Sequence, residues 1–128
     1  MPKKVMVVDD DPTTRFMMAE FLDALGFEHS VVSSGSECLA QLMTDPSSFY
    51  AVLMDIHMPH VTGLDTCGWI RGLESDPPCN IPIIALTADN QYHRPEDVAP
   101  FGMTDVLPKP VSLDDLNEKL TRFATAEH

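Results

Sequence analysis

The chain has 128 residues, which suits one compact domain and is too short for two independent hydrophobic cores. Hydrophobic residues make up 44% and charged residues 22% of it, as is typical of a folded globular protein, which argues against a disordered or collagen-like chain. Twenty acidic and eight basic residues leave a net charge of -12. This charge would repel nucleic-acid phosphates and anionic lipids, so we expect no direct nucleic-acid binding and no membrane insertion.

The first apolar run and the cysteines indicate where the protein works. The run has only four residues before Asp9, too short for the core of a signal peptide or for a membrane span, so we expect a cytoplasmic protein. Cys38, Cys67 and Cys79 show no C-x-x-C spacing. This pattern favours reduced thiols over a disulfide framework or a zinc site.

The first predicted unit is a strand, an acidic turn and a helix. Residues 5–8 form a continuous, mostly β-branched apolar run, which predicts a strand covered on both faces. Asp11 suits the N-cap of a helix and Pro12 its first position, and Gly26 closes the apolar helical stripe.

This unit recurs along the chain. Further strands are predicted at residues 28–32, 50–54, 81–86 and 105–107. Helix starts are predicted at Ser34, Thr62 and Ser112, each followed three residues later by an acidic side chain. Between Asp89 and Gly102, Pro95 and Pro100 limit any fourth helix to about one or two turns, because a proline inside a helix costs ~3 kcal/mol.

Five strands that alternate with helices predict a doubly wound α/β fold, in which a parallel sheet has helices on both faces. We expect one domain over residues 1–128, with a core at about residues 4–124. The last helix runs nearly to His128, so we expect no output domain.

Two further residue types are assigned by their simplest role. The methionines expected in or near the core are Met6, Met17, Met18, Met43 and Met54. The arginines expected at the surface or in partner contacts are Arg15, Arg71 and Arg94.

Polar side chains follow four of the predicted strands. Asp9 and Asp10, Asp55, Thr87 and Lys109 stand where these strands end, and the carboxyl ends of parallel strands share one edge of a sheet. Any one of them alone is an ordinary turn residue or helix cap. The combination is harder to explain in that way, because two carboxylates ~5 Å apart repel by roughly 3 kcal/mol at an effective dielectric constant of about 20. Lys109 offsets one charge, and Mg²⁺ is the natural second cation, since it prefers carboxylates, waters and phosphate oxygens.

Four motifs carry a resemblance to a known family. They are residues 5–11, residues 54–59 with Gly63, residues 83–88, and Lys109-Pro110. In this order and spacing the chain resembles the receiver domain of two-component response regulators, over essentially residues 4–124. The resemblance implies a flavodoxin-like sheet with strand order 2-1-3-4-5. It also implies a phosphoacceptor in a histidine-to-aspartate phosphorelay.

The resemblance also implies the metal ligands and the acceptor. Asp55 would accept the phosphoryl group. Asp10, Asp55 and the backbone carbonyl of His57 would bind Mg²⁺ directly, and Asp9 would assist through water. Metal binding by the rings of His57 and His60 is the less favoured alternative, because solvated loop histidines are common.

Two more roles follow from the same resemblance. The Thr87 hydroxyl would donate to a phosphoryl oxygen, with the small Ala88 leaving room beside it. Lys109 would pair first with Asp55 and then with the phosphoryl group. Such a protein is not an enzyme beyond the phosphorylation and dephosphorylation of its own aspartate. Its partners would be a sensor histidine kinase or histidine phosphotransfer protein as donor, and a downstream protein that receives the signal or the phosphoryl group.

One position departs from the family pattern. Many receivers carry Tyr or Phe where this chain has Val106, so we expect its state to be transmitted by a shift of the segment between Asp89 and Gly102.

Other functions fit the sequence less well. An unphosphorylated pseudo-receiver would lack a site residue. A dehalogenase-type phosphatase needs an acid where His57 stands. A flavodoxin needs a phosphate loop where three aspartates stand, and there is no G-x-x-x-x-G-K-[ST] run for a nucleoside triphosphate.

Overall fold

A computed structural model describes residues 3–126. Within these residues the structure has five strands and five α-helices. The strands are β1 (Lys4–Val8), β2 (His29–Val32), β3 (Phe49–Asp55), β4 (Ile83–Thr87) and β5 (Asp105–Pro108). The helices are α1 (Pro12–Leu25), α2 (Gly35–Thr44), α3 (Gly63–Arg71), α4 (Pro95–Val98) and α5 (Leu113–Ala126). Short 3₁₀ turns lie at Pro46–Ser48, Asn90–Tyr92 and Ala99–Phe101.

All strand pairs are parallel, and the order is β2-β1-β3-β4-β5, which confirms the predicted sheet. Side chains of β1 alternate between two buried clusters. Val5 and Val7 pack with residues of α1 and α5, whereas Met6 and Val8 pack with residues of α2, α3 and α4. Helices therefore cover both faces, and the doubly wound α/β fold is confirmed.

The predicted helix caps explain where the helices begin. Asp11 accepts a hydrogen bond from the Thr13 backbone N–H at 3.1 Å, and Pro12 is the first residue of α1. Ser112 accepts from the Asp115 backbone N–H at 3.1 Å at the start of α5. Gly26 ends α1 with φ at 82°, a left-handed conformation that glycine adopts without steric cost. These caps fix the turns that follow the strands.

The segment between β4 and β5 is irregular, as predicted. Its only α-helix, α4, has four residues and begins at Pro95. The last 3₁₀ turn ends at Gly102, whose φ is 94°. Few helical hydrogen bonds therefore hold this part of the chain.

One prediction about a single side chain is wrong, because Met43 is 59% exposed rather than in or near the core. Arg71, expected at the surface or in a partner contact, is half-buried. Its guanidinium donates to the backbone carbonyls of Gly102, Cys79 and Ile81 at 2.8, 2.9 and 2.7 Å. It joins the end of α3 to the segments that precede β4 and β5.

Cys38, Cys67 and Cys79 are free thiols, as predicted. None of the helices in the described part of the chain combines the length and the apolar character needed to cross a lipid bilayer. Met1 and His128 lie outside the described residues, and the single-domain organisation over residues 1–128 stays a prediction.

Candidate functional site

The carboxyl ends of β1, β3, β4 and β5 meet at one edge of the sheet. Asp9 and Asp10 follow β1, Asp55 and Thr87 are the last residues of β3 and β4, and Lys109 follows β5. In the register, Val8 pairs with Met54 and Leu86 with Asp55, so the strand ends are aligned. The parallel topology thus places together residues that are far apart in sequence.

Three carboxylates form the centre of the site. Asp9, Asp10 and Asp55 each offer a carboxylate oxygen within 4.8 Å of the others, and they form the only such group of His, Cys, Asp and Glu side chains among residues 3–126. Asp9 is fully buried and Asp55 is 5% exposed, whereas Asp10 is exposed. Buried like charges at this separation repel strongly, so the group needs a compensating cation.

Lys109 supplies one positive charge. Its Nζ lies 3.0 Å from Oδ2 of Asp9 and 3.3 Å from Oδ1 of Asp55. Burial acts to lower the pKa of Lys109, but the hydrogen bond to Asp9 and the charges of both carboxylates outweigh it and raise the pKa. Lys109 therefore contacts both buried carboxylates, and the shorter of the two contacts is the one with Asp9.

The pKa of Asp55 lies well above its ordinary value. Burial and the neighbouring Asp9 carboxylate raise the pKa of Asp55 to about 6, and Lys109 only partly opposes them. A raised pKa in a cluster of acids is typical of functional sites. At Asp55, burial and the Asp9 charge therefore outweigh the effect of the single Lys109 ammonium.

Backbone contacts hold the acids in place. The Asp11 N–H donates to Oδ1 of Asp9 at 2.9 Å, and Nη1 of Arg15 donates to the Asp9 carbonyl at 2.8 Å. A Cβ at Gly63 would collide with the Asp55 carbonyl oxygen, so only glycine lets α3 begin against the end of β3. The role of Arg15 was missed, and its position one turn into a helix that follows an acidic strand end is the signal that points to it.

Thr87 and His57 both contact Asp89. The Thr87 hydroxyl accepts a hydrogen bond from the Asp89 backbone N–H at 2.9 Å. Nε2 of His57 lies 2.9 Å from Oδ2 of Asp89, and the His57 side chain is 62% exposed. The His57 ring therefore contacts the turn after β4. Asp89 was missed as a site residue, although an Asp-Asn pair just after a strand is a common turn signal.

The donor set suits a hard divalent cation. Three carboxylates face one ammonium, and all of the clustered ligand atoms are oxygens. Mg²⁺ prefers one or two carboxylates together with waters and phosphate oxygens. The residues present therefore fit Mg²⁺ and leave coordination positions for a phosphoryl group.

Comparisons with known proteins show which proteins the chain is similar to. The sequence model described as "Response regulator receiver domain" matches residues 5–121. The chain is 36% identical over 121 residues to the CAI-1 autoinducer sensor kinase/phosphatase CqsS of Vibrio cholerae, over 94% of this chain and 17% of that protein. It is 32% identical to the response regulator MprA of Mycolicibacterium vanbaalenii, over 91% of this chain and 48% of that protein. The chain thus spans less than half the length of these relatives.

A solved structure shows the same fold. The receiver domain of a sensor histidine kinase of Pseudomonas aeruginosa PAO1 is 27% identical and superposes with a TM-score of 0.85. The match covers 98% of this chain and 99% of that domain, which has a magnesium ion coordinated in its active site cleft.

Proposed function

We propose that this chain, which belongs to the response regulator receiver domain family of two-component systems, accepts a phosphoryl group on Asp55. The observation that carries the proposal is the position of the Asp55 carboxylate. It is buried at the end of β3, lies 3.3 Å from the Lys109 ammonium and stands in a cluster of acids that fits Mg²⁺.

The residues have distinct parts in the transfer. A carboxylate oxygen of Asp55 forms a bond to phosphorus, while the bond from phosphorus to the donor imidazole nitrogen breaks and its electron pair stays on that nitrogen. The product is an acyl phosphate on Asp55. Lys109 forms an ion pair with the phosphoryl oxygens. The Thr87 hydroxyl, which still has its own hydrogen to donate, donates a hydrogen bond to one of these oxygens. Positioning and charge compensation account for most of such catalysis.

We assign the metal to the same cluster. Asp10, Asp55 and the backbone carbonyl of His57 would hold Mg²⁺ directly, and Asp9 would hold it through water. Bound there, Mg²⁺ offsets negative charge on the phosphoryl oxygens.

The donor and the recipient are proposed by class. A phosphorylated histidine of a sensor kinase or a histidine phosphotransfer protein supplies the phosphoryl group, in line with the sensor kinase among the relatives. A second protein then reads the phosphorylated state or takes the group onward.

The test uses acetyl phosphate as the only phosphodonor. We expect the intact mass to increase by one phosphoryl group with Mg²⁺ present and to stay unchanged with a chelator, because the chain itself supplies the positioning and the charge compensation. Asp55→Asn should abolish the increase. Asp45→Asn is the matched control, since Asp45 is exposed at the end of α2. Labelling of Asp55→Asn at the unmodified level would overturn the proposal.

A further inference from the structure

Thr87 is joined by a hydrogen bond to the turn that follows β4. Its hydroxyl accepts from the Asp89 backbone N–H at 2.9 Å. Residues 89–92 form this turn, the Asp89 turn. Because this bond is direct, a displacement of the Thr87 side chain toward a phosphoryl group acts on the Asp89 turn.

Asp89 organises this turn with both of its carboxylate oxygens. Oδ1 accepts from the Gln91 backbone N–H at 2.9 Å, and Oδ2 lies 2.9 Å from Nε2 of His57. The Asp89 carbonyl accepts from the Tyr92 backbone N–H at 3.0 Å. These bonds hold the turn that carries Tyr92 as one unit. The turn is attached to Thr87 and to His57, which stands two residues after Asp55.

Three rings continue from this turn to the surface. The Tyr92 ring centroid lies 6.0 Å from that of His57 and 6.2 Å from that of Phe101, with the latter pair edge to face. Such separations are those of favourable ring pairs. Tyr92 also packs against the buried cluster that contains Met58. Phe101 is 44% exposed, so the chain of contacts ends at a surface that a partner can reach.

β5 offers no comparable link. Val106 is 5% exposed, belongs to the buried cluster and has no ring to reorient. The structure describes all residues between Tyr92 and Phe101, and the one α-helix among them is the four-residue α4. Few backbone hydrogen bonds stabilise so short a helix. The segment that a moving ring must displace therefore has little regular helical hydrogen bonding of its own, and it is fixed at the buried Val98 and at the Gly102 carbonyl that Arg71 binds.

We infer that the Tyr92 ring, carried on the Asp89 turn, couples the state of Thr87 to the exposed surface at Phe101. The inference rests on the proposed function, since the phosphoryl group on Asp55 is what displaces Thr87. Tyr92 is a positioning residue in this scheme, because its ring pairs with the His57 ring and it offers no ligand atom to the cluster of Asp9, Asp10 and Asp55. The coupling shifts the population of two arrangements of residues 89–102.

Hydrogen–deuterium exchange followed by mass spectrometry tests the coupling, with phosphoryl incorporation measured on the same samples. In the unmodified chain, we expect acetyl phosphate with Mg²⁺ to change exchange rates at residues 95–105 by about fivefold or more. Tyr92→Leu should take up the phosphoryl group as before but lose most of this change. Tyr92→Phe, which keeps the ring, should retain it.

Two further variants keep the test decisive. Phe101→Leu alters an exposed side chain, so it tests the outer end of the ring contacts even if Tyr92→Leu does not fold. This variant should also lose most of the change in exchange rates. Val106→Ala should keep the full change. The inference is overturned if the Tyr92→Leu and Phe101→Leu proteins are phosphorylated and retain the full change, or if Val106→Ala alone abolishes it. An unmodified chain that takes up no phosphoryl group would instead refute the proposed function, and the inference with it.

Discussion

At the scale of single residues, Lys109 balances two carboxylates. Its ammonium lies 3.0 Å from Asp9 and 3.3 Å from Asp55. We expect Lys109→Ala to leave Mg²⁺ affinity unchanged or higher, because the acids lose a competing cation, and to slow phosphorylation at least about tenfold, because the phosphoryl oxygens lose a partner. Calorimetry and the rate of mass increase measure the two effects. Lys4→Ala, at an exposed lysine, is the control. A large loss of Mg²⁺ affinity would contradict this account.

The carboxylate of Asp55 makes stability depend on pH. Its pKa of about 6 in the folded protein lies above the ordinary value of 3.8. Between these values the folded chain keeps a proton that the unfolded chain has lost, so stability falls as pH rises through this range and stays lower above pH 6. In chelator at pH above 7, Asp55→Asn should therefore be more stable than the unmodified chain, by on the order of 1–3 kcal/mol.

Urea unfolding at several pH values measures this difference. We expect the advantage of Asp55→Asn to shrink as pH falls from 7 toward 4, since the unmodified Asp55 then becomes neutral in the folded state. Asp45→Asn, at an exposed position, should show no such trend. A difference that stays constant with pH would show that the burial of an ionised Asp55 is not its cause.

At the scale of elements, Arg71 holds α3 to two segments that precede strands. We expect Arg71→Ala to lower the free energy of unfolding by about 2–4 kcal/mol, because three part-buried carbonyls lose a charged donor. Arg71→Lys should recover only part of the loss, since an ammonium does not reproduce the planar fork of donors. Urea unfolding measures both. Arg94→Ala, at an exposed arginine, should change stability little, and an equally small effect of Arg71→Ala would refute this role.

The elements that sequence predicted well are those with local signals. The caps at Asp11 and Ser112 and the stop at Gly26 lie within one turn of the residues that they satisfy. The acceptors of Arg71 lie in segments up to 31 positions away and show no periodicity, so its role could not be predicted. Met43 was misplaced because α2 turns the adjacent Leu42 inward, which leaves position 43 beyond the buried stripe.

At the scale of the whole molecule, parallel topology explains why the site was predictable. Lys109 and Asp9 are 100 positions apart, yet both follow strands whose carboxyl ends share one edge. The pattern of apolar runs and polar strand ends was therefore enough to place the acids and the lysine together. Lys109 lies nearer to Asp9 than to Asp55 by only a few tenths of an ångström. No sequence pattern predicts so small a difference between two distances. The contact of His57 with Asp89 likewise depends on how two loops pack.

The residue that carries the phosphoryl group can be identified chemically. The chain is phosphorylated with acetyl phosphate and Mg²⁺ and then treated with borohydride, which reduces an aspartyl phosphate to homoserine. Peptide mass spectrometry identifies the position that has changed. We expect homoserine at position 55, with Asp9 and Asp10 unmodified and no conversion in chelator. Homoserine at position 9 or 10, or a phosphoryl group that remains on a histidine or a hydroxyl side chain, would contradict it.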